Sequence, residues 1–269
     1  MNTYTLSHIV KKEFKYILRD KRALIMGLVL PTLFVVVYGF AATAMLKDMA
    51  YAPEAIFLAK YMLFMILALL TFLSILTSAL EIGAGEKERG TLCSALRTSV
   101  SFQTLYLGKL ITLMLQSLAS LILNDVAIVI MSFIPESGCY TLFQDHQFVG
   151  DFVVANIVLA VCIAFFSSLE LLVSFAARSF KEGQLFSAPV MLLTLAPFYY
   201  VMYQQNWYPA EYQYAIPFLN SANLMFDLSQ TGASMPHVVI FAVVSIALSV
   251  VFAYLAQSIM ANEKNLFRR

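Results

Sequence analysis

The sequence predicts an all-α integral membrane protein. The predicted elements are six transmembrane helices, an N-terminal amphipathic interfacial helix and short external re-entrant helices before the last span. Three observations lead to this class. Of the 269 residues, 61% are hydrophobic and only 12% charged, more apolar surface than a soluble domain of this size can bury. Six apolar runs are long enough to cross a bilayer, and the basic residues lie almost entirely on one side of them.

The predicted spans follow from length, because a crossing helix needs about 20 mostly apolar residues at a rise of about 1.5 Å each. The qualifying runs are Ala23–Leu46, Phe57–Leu80, Gly108–Phe133, Phe152–Phe175, Leu185–Met202 and His237–Ala256. Residues 1–269 form one predicted domain. It divides into the interfacial helix (1–22), spans one to five (23–202), the external re-entrant segment (203–236), and span six with its tail (237–269).

The distribution of lysine and arginine predicts the orientation. With the N-terminus inside the cell, 15 of the 17 basic residues lie on the cytoplasmic side, and only Lys47 and Lys60 lie outside. This asymmetry is the positive-inside signal, so both termini are expected in the cytoplasm. Before span one, apolar residues from Leu6 to Leu18 recur at helical spacing, with Lys12 and Lys15 mostly on other faces. A generic anchor on anionic headgroups explains this pattern as well as a functional surface does.

The stretch Glu86-Lys87-Glu88-Arg89-Gly90-Thr91-Leu92 is a dense charged segment between two apolar runs. So polar a segment cannot lie in hydrocarbon, and the chain must leave the membrane there. Acidic residues early and Arg97 late suit the dipole of a short helix, with a break at Gly90. Composition alone favours an ordinary solvated turn.

A few polar residues fall inside the predicted spans. Asp125 follows Asn124 in span three, Gln116 lies in the inner half of that span, and Glu170 lies in span four. An aspartate at a helix centre costs about 2.5–3.5 kcal/mol on insertion scales. Such residues therefore mark either a functional path or polar contacts that join helices.

No catalytic residue, metal ligand or bound cofactor is predicted. Gly108-Lys109-Leu110 lacks the upstream glycine and the hydroxyl residue of a phosphate-binding loop, and the three histidines show no zinc-type spacing. Nothing suggests a nucleic-acid partner. Energy from ATP, if it is used, must come from a separate chain.

Three stretches carry a family resemblance. They are Lys12-Glu13-Phe14-Lys15 through Asp20-Lys21-Arg22-Ala23 to Pro31; Glu86 to Leu92 with Leu107-Gly108-Lys109-Leu110; and Ser179-Phe180-Lys181-Glu182-Gly183-Gln184 with Ser187-Ala188-Pro189 and Ile216-Pro217-Phe218-Leu219-Asn220. In these stretches the chain resembles permease subunits of ABC-2 type transporters, most closely the NatB-like, sodium-extruding branch. The loop Lys47–Ile56 leaves no room for the large extracellular domain usual in that branch, so the compact form also resembles exporters of drugs, peptides or lipids.

The resemblance implies partners and sites. Residues 86–97 would form a coupling helix that contacts a separate ATPase subunit through Glu86, Lys87, Glu88, Arg89, Gly90, Thr91 and Leu92, with Lys12 and Lys15 beside it. Two ATPases, which bind ATP and Mg, would join two identical or related permeases in the plasma membrane, among its lipids. Cargo would leave between spans one, two and five. Candidates for its path are Gln116, Asn124, Asp125, Glu170 and Asn220.

Three other functions compete with this interpretation. A secondary transporter would use Asp125 or Glu170 as a proton or cation relay, but it usually has inverted repeats, which are not evident here. An intramembrane enzyme would need a catalytic constellation at membrane depth. A non-transporting assembly subunit would need neither. Co-purification with an ATPase would discriminate among them.

Overall fold

The computed structural model describes residues 3–19, 21–49, 51–96, 100–204, 209–230 and 232–261. Within these ranges the chain is a bundle of helices without strands. Six helical stretches are long and apolar enough to cross a membrane: Ile25–Asp48, Pro53–Glu88, Phe102–Met131, His146–Ala176, Phe180–Tyr203 and Met235–Met260. The predicted fold class and the six spans are confirmed. Arg97, Asp20 and the predicted tail from residue 262 lie outside the described residues.

Twelve α-helices are described. They are α1 (Thr3–Arg19), α2 (Lys21–Leu24), α3 (Leu30–Asp48), α4 (Pro53–Leu80), α5 (Glu86–Glu88), α6 (Thr91–Leu96), α7 (Phe102–Met131), α8 (Gly138–Phe143), α9 (His146–Ala176), α10 (Phe180–Tyr203), α11 (Leu219–Gln230) and α12 (Met235–Ala261). A π-helical segment, Ile25–Val29, precedes α3 in span one, and another, Glu81–Gly85, joins α4 to α5 in span two. Spans three to six are α7, α9, α10 and α12.

Polar side chains define where several helices begin. Ser101 accepts a hydrogen bond from the Thr104 N–H at the start of α7, and Asp145 accepts one from the Gln147 N–H at the start of α9. Ser179 does the same for the Glu182 N–H at the start of α10. Each cap satisfies a backbone donor that the first turn of a helix leaves without an internal partner.

Spans two and four form the centre of the bundle. Aromatic pairs join them, including Phe64 with Phe148 and Phe72 with Phe166. Spans one, five and six lie at the periphery of the bundle and expose large apolar side chains, for example Val37 and Leu192. Such faces suit lipid or another membrane subunit.

The N-terminal helix α1 packs against span three. Ile17 and Glu13 are 1% exposed, and Ile9 lies so close to Gly108 that any larger residue there would overlap its side chain. The helix is therefore fixed to the bundle through one face. Its position at the membrane surface stays a prediction.

The segment before span six, which is predicted to be external and is called the external segment, contains a 3₁₀ turn, Glu211–Ala215, and the helix α11. Residues 219–230 form one continuous helix, because Asn220 and Asn223 are buried along with the apolar residues and do not interrupt it. Tyr214 donates a hydrogen bond of 2.5 Å to Asp227 and stacks on His237, which joins the segment to α12.

Ser174 of span four causes the π-helical segment in span two. Its hydroxyl donates to the Ala79 carbonyl at 2.7 Å and accepts from the Ala84 N–H at 2.8 Å. A side chain inserted into the helical hydrogen-bond ladder in this way widens the turn. Gly83 makes the insertion possible, because a Cβ at that position would overlap the Ser174 hydroxyl and lie 2.8 Å from its Cβ.

We expect Gly83→Ala to destabilise the protein by about 1–3 kcal/mol, since the added methyl group enters a filled site. The matched control is Gly150→Ala in α9, where an added Cβ meets nothing within 4 Å. That control should gain up to about 1 kcal/mol from helix propensity. Thermal unfolding in detergent measures both variants, and equal melting temperatures would contradict the packing described for Ser174.

Candidate functional site

The charged segment forms two short helices separated by a sharp turn. The turn between α5 and α6 has Gly90 at a φ of +74°, a left-handed conformation that glycine adopts without steric cost. The Gly90 N–H donates to the Lys87 carbonyl, and the Thr91 hydroxyl donates to the Glu86 carbonyl. The expected break at Gly90 is therefore present. We call this end of the bundle the inner end, because the distribution of basic residues predicts that it faces the cytoplasm.

Lys109 lies fully buried between two glutamates from different elements. Its Nζ is 2.6 Å from Glu86 Oε2 and 3.4 Å from Glu13 Oε1, and it donates to the Ile82 carbonyl at 2.8 Å. The side chains of Lys109, Glu13 and Glu86 are 0%, 1% and 9% exposed. Because charges this buried need close partners, the cluster fixes α1, the end of span two and span three to one another.

The next two residues of the segment hold spans four and five. Lys87 Nζ donates to the carbonyls of Phe175 and Ala177, each at 2.9 Å, at the C-terminal end of α9. A cation there is favoured by the helix dipole. Glu88 accepts the Phe180 N–H at 2.9 Å at the start of α10. One short stretch of chain is thus bonded to the inner ends of spans three, four and five.

Arg89 contacts both span two, which it directly follows, and α1. Its guanidinium is 3.1 Å from Glu81 Oε2 and lies over the ring of Tyr16, 5.6 Å from the centroid. The side chain is 47% exposed, so solvent screens the ion pair and its stabilising contribution is small.

The nine predicted coupling residues differ in exposure, and their role stays a prediction. The side chains of Glu86 and Leu92 face the interior: Glu86 pairs with Lys109, and Leu92 packs in an apolar cluster with Ile17 and Leu105. They position the segment and do not form its outer surface. The exposed members of the predicted set are Lys12, Lys15, Glu88, Arg89, Gly90 and Thr91.

Sequence reasoning missed Lys109 and Glu13 as site residues. Lys109 sits at the predicted start of span three, where a basic residue is usually an interfacial anchor, and Glu13 is one acid among several bases in α1. A signal was available, because a lone acid on the apolar side of an amphipathic helix needs a buried cation. Glu13 lies one turn from Ile9 and Ile17, and both of these side chains are packed inward.

A cavity of about 630 Å³ opens beside this cluster. Its walls come from span one (Met26), span two and the charged segment (Thr77, Glu81, Gly85, Glu88, Arg89) and span five (Phe180, Gln184). The Glu81–Arg89 ion pair gives it a charged wall, and Met26 and Phe180 give it apolar ones. The lining suits a ligand with both polar and apolar parts.

The five predicted path residues do not form one site. Gln116 and Asn124 lie on one face of span three, and Asn124 accepts a hydrogen bond from Thr32 of span one. Asp125 lies on another face of this span, close to Asn156 of span four.

The other two predicted path residues, Glu170 and Asn220, lie elsewhere. Glu170 is buried and accepts a 2.7 Å hydrogen bond from Ser187 of span five. Asn220 belongs to the external segment and lines a cavity of only about 10 Å³. Among the residues that the structure describes, no group of three His, Cys, Asp or Glu side chains could hold a metal ion.

Six membrane-spanning helices with a charged, internally bonded segment after the second define a multi-pass membrane protein with a structured inner end. The family model described as "ABC-2 family transporter protein" matches residues 7–260. The chain therefore belongs to the ABC-2 family of transporter proteins. It is 29% identical over 165 residues to the ABC transporter permease protein NatB of Bacillus subtilis (strain 168). The match covers 59% of this chain and 42% of that relative.

Proposed function

We propose that this protein is the permease subunit of an ATP-driven exporter and that a separate ATPase subunit drives it through the exposed side of α1, α5 and α6. The observation that carries the proposal is the internal bonding of the charged segment. Glu86, Lys87 and Glu88 bind it to spans three, four and five, while other side chains remain exposed at the inner end. The family and the relative named as a permease support the same class of function.

The bonding suggests how force would reach the spans. A displacement of α5 and α6 by the ATPase would act on span three through Lys109, on span four through Lys87 and on span five through Glu88. Because the Lys109 cluster is buried and paired, the connected elements would move as one body and not bend independently. The ATPase would bind ATP and Mg, and the permease would supply no catalytic residue.

The cavity at the inner end suggests where cargo would enter. It is lined by spans one, two and five, the three spans that the family resemblance implies for outward movement. The cargo would be sodium, a drug, a peptide or a lipid.

We further propose an assembly of two permeases and two ATPases in the plasma membrane, with both permease termini in the cytoplasm. The exposed apolar faces of spans one and five would contact the second permease, an identical copy or a relative, and lipid would cover the rest. Residues 1–269 would act as a single transmembrane domain.

Flux measurements on the purified permease, reconstituted with and without its co-purifying ATPase, test this proposal. We expect outward transport of at least one candidate cargo only when both the ATPase and ATP are present. Transport driven by an ion gradient without the ATPase, and abolished by Asp125→Asn or Glu170→Gln, would instead show a secondary transporter. Absence of flux under either condition, despite a stable complex, would point to an assembly subunit.

A further inference from the structure

A polar seam runs along the facing sides of spans two and three. Nine buried side-chain atoms on these two spans have no hydrogen-bond partner among the described residues, and seven of them lie along the seam. These seven are Thr71 Oγ1, Ser74 Oγ, Ser78 Oγ, Gln116 Nε2, Gln116 Oε1, Ser120 Oγ and Asn124 Nδ2. All six residues are at most 3% exposed. Their spacing of three or four residues places each set on one face of its helix, and each set covers roughly 10–12 Å of helix at a rise of about 1.5 Å per residue.

The inner part of the seam converges on one point. A Cβ built on Gly27 of span one would lie 2.7 Å from Gln116 Nε2, 3.7 Å from Ser74 Oγ and 3.9 Å from Ser78 Oγ. Gly27 belongs to the π-helical segment of span one, a type of distortion common at functional sites. Spans two and three therefore direct two hydroxyls and an amide toward this glycine of span one, which has no side chain.

Neighbouring hydroxyls on span three behave differently. Thr112 and Ser117 donate to the carbonyls of Gly108 and Leu113, each at 2.8 Å. Bonding to the carbonyl four residues earlier is the usual way for serine and threonine to satisfy themselves in a membrane helix. Ser74, Ser78 and Ser120 do not use it. A dry seam with this many unsatisfied groups would be costly, whereas a seam that holds ordered water or a polar ligand would satisfy them.

We propose that the seam is a binding site for water and small hydrophilic solutes, which reach it from the inner end of the bundle. The large cavity is the nearest opening along the chain, because its wall residues Met26 and Thr77 directly precede Gly27 and Ser78. The seam side chains are themselves buried, so water and solutes would enter from this cavity as the spans separate. The donors and acceptors of the seam are neutral and of both kinds, which suits a small hydrogen-bonding solute better than a lipid tail. This proposal does not depend on ATP coupling, since its test needs neither an ATPase nor a cargo.

Thiol labelling tests the hydration directly, because a thiol reacts with a hydrophilic reagent only where water allows the thiolate to form. In a background in which Cys93, Cys139 and Cys162 are replaced by alanine, Ser74→Cys and Ser120→Cys are treated with aminoethyl methanethiosulfonate from the inner side. The exposed reference is Ser94→Cys, and the buried apolar control is Leu121→Cys, which is 4% exposed and adjacent to Ser120.

We expect both seam cysteines to label, more slowly than Ser94→Cys because they are buried, while Leu121→Cys stays unlabelled. Adding Gly27→Ala should slow labelling of Ser74→Cys without affecting Ser94→Cys, because the new methyl group occupies the point of convergence. Seam cysteines as unreactive as Leu121→Cys, or a Leu121→Cys that labels equally, would overturn the proposal.

Melting temperature provides a second, independent readout. In a hydrated seam the double variant Ser74→Ala, Ser120→Ala loses bonds to water and melts at a lower temperature than the parent. In a dry seam it removes unsatisfied hydroxyls and melts at the same or a higher temperature, which would overturn the proposal.

Discussion

Lys109→Met should destabilise the protein by about 3–5 kcal/mol, because it leaves two buried carboxylates without their cation. Glu86 is 9% and Glu13 1% exposed in this cluster, so neither can recover the lost interaction from solvent. Methionine nearly preserves the volume, and the loss therefore reports charge and not packing. Thermal unfolding of the purified permease measures it, and ATP-driven flux should fall with it as the charged segment loses its attachment to span three.

A matched control exists in the same cluster. Lys12 Nζ lies 3.4 Å from the same Glu13 oxygen as Lys109 does, but its side chain is 65% exposed. Lys12→Met should therefore cost no more than about 1 kcal/mol. Similar losses of stability for the two variants would contradict a stabilising buried ion-pair cluster at Lys109.

Neutralising the whole cluster separates burial from pairing. In Lys109→Met combined with Glu13→Gln and Glu86→Gln, no unpaired charge remains, and much of the lost stability should return. If transport does not return with it, the cluster is needed for coupling as well as for folding.

Charge reversal at the exposed surface of α1 should leave stability nearly unchanged and weaken the contact with the ATPase. In the double variant Lys12→Glu, Lys15→Glu, both side chains are exposed, and the melting temperature should change little. Reversed charges at an interface disfavour association, and a loss of about 1.4 kcal/mol is already about tenfold in affinity. We expect ATP-driven flux and ATPase co-purification to fall at least about tenfold.

The control for this variant is Lys47→Glu, at the exposed outer end of span one. It makes the same type of charge reversal, at one lysine, at the opposite end of the bundle and should leave flux and co-purification intact. Full transport by the double variant would show that α1 does not contribute to the ATPase contact.

Sequence predicted the six spans well because length and hydropathy decide them directly. Two boundaries moved for identifiable reasons. Span two continues from Leu80 to Glu88 through the glycine-rich π-helical segment, and span three begins at Phe102 instead of Gly108. In the second case the charge of Lys109 indicated the membrane boundary. Lys109 is instead buried within the helix bundle, where Glu86 and Glu13 pair with it.

The interior of the charged segment could not be read from the chain alone. Its contacts join residues that are far apart in the sequence. Lys109 is separated from Glu13 by 96 positions, and Ser174 is separated from Ala84, whose N–H it accepts, by 90 positions. The density of charge in residues 86–89 indicated that all four side chains are exposed. Glu86 is instead buried, because it forms an ion pair with Lys109 of span three. Only the tertiary packing of α1, α5 and α7 brings these groups together.

Site-specific photo-crosslinking is the most direct test of the coupling surface. A photoreactive amino acid placed at Ser94, which is exposed on α6 beside the charged segment, should yield a covalent adduct with the ATPase in the assembled transporter. The same amino acid at Lys47 should yield none. An adduct at Lys47, or none at Ser94 in a complex that still transports, would contradict an ATPase that drives this permease through α5 and α6.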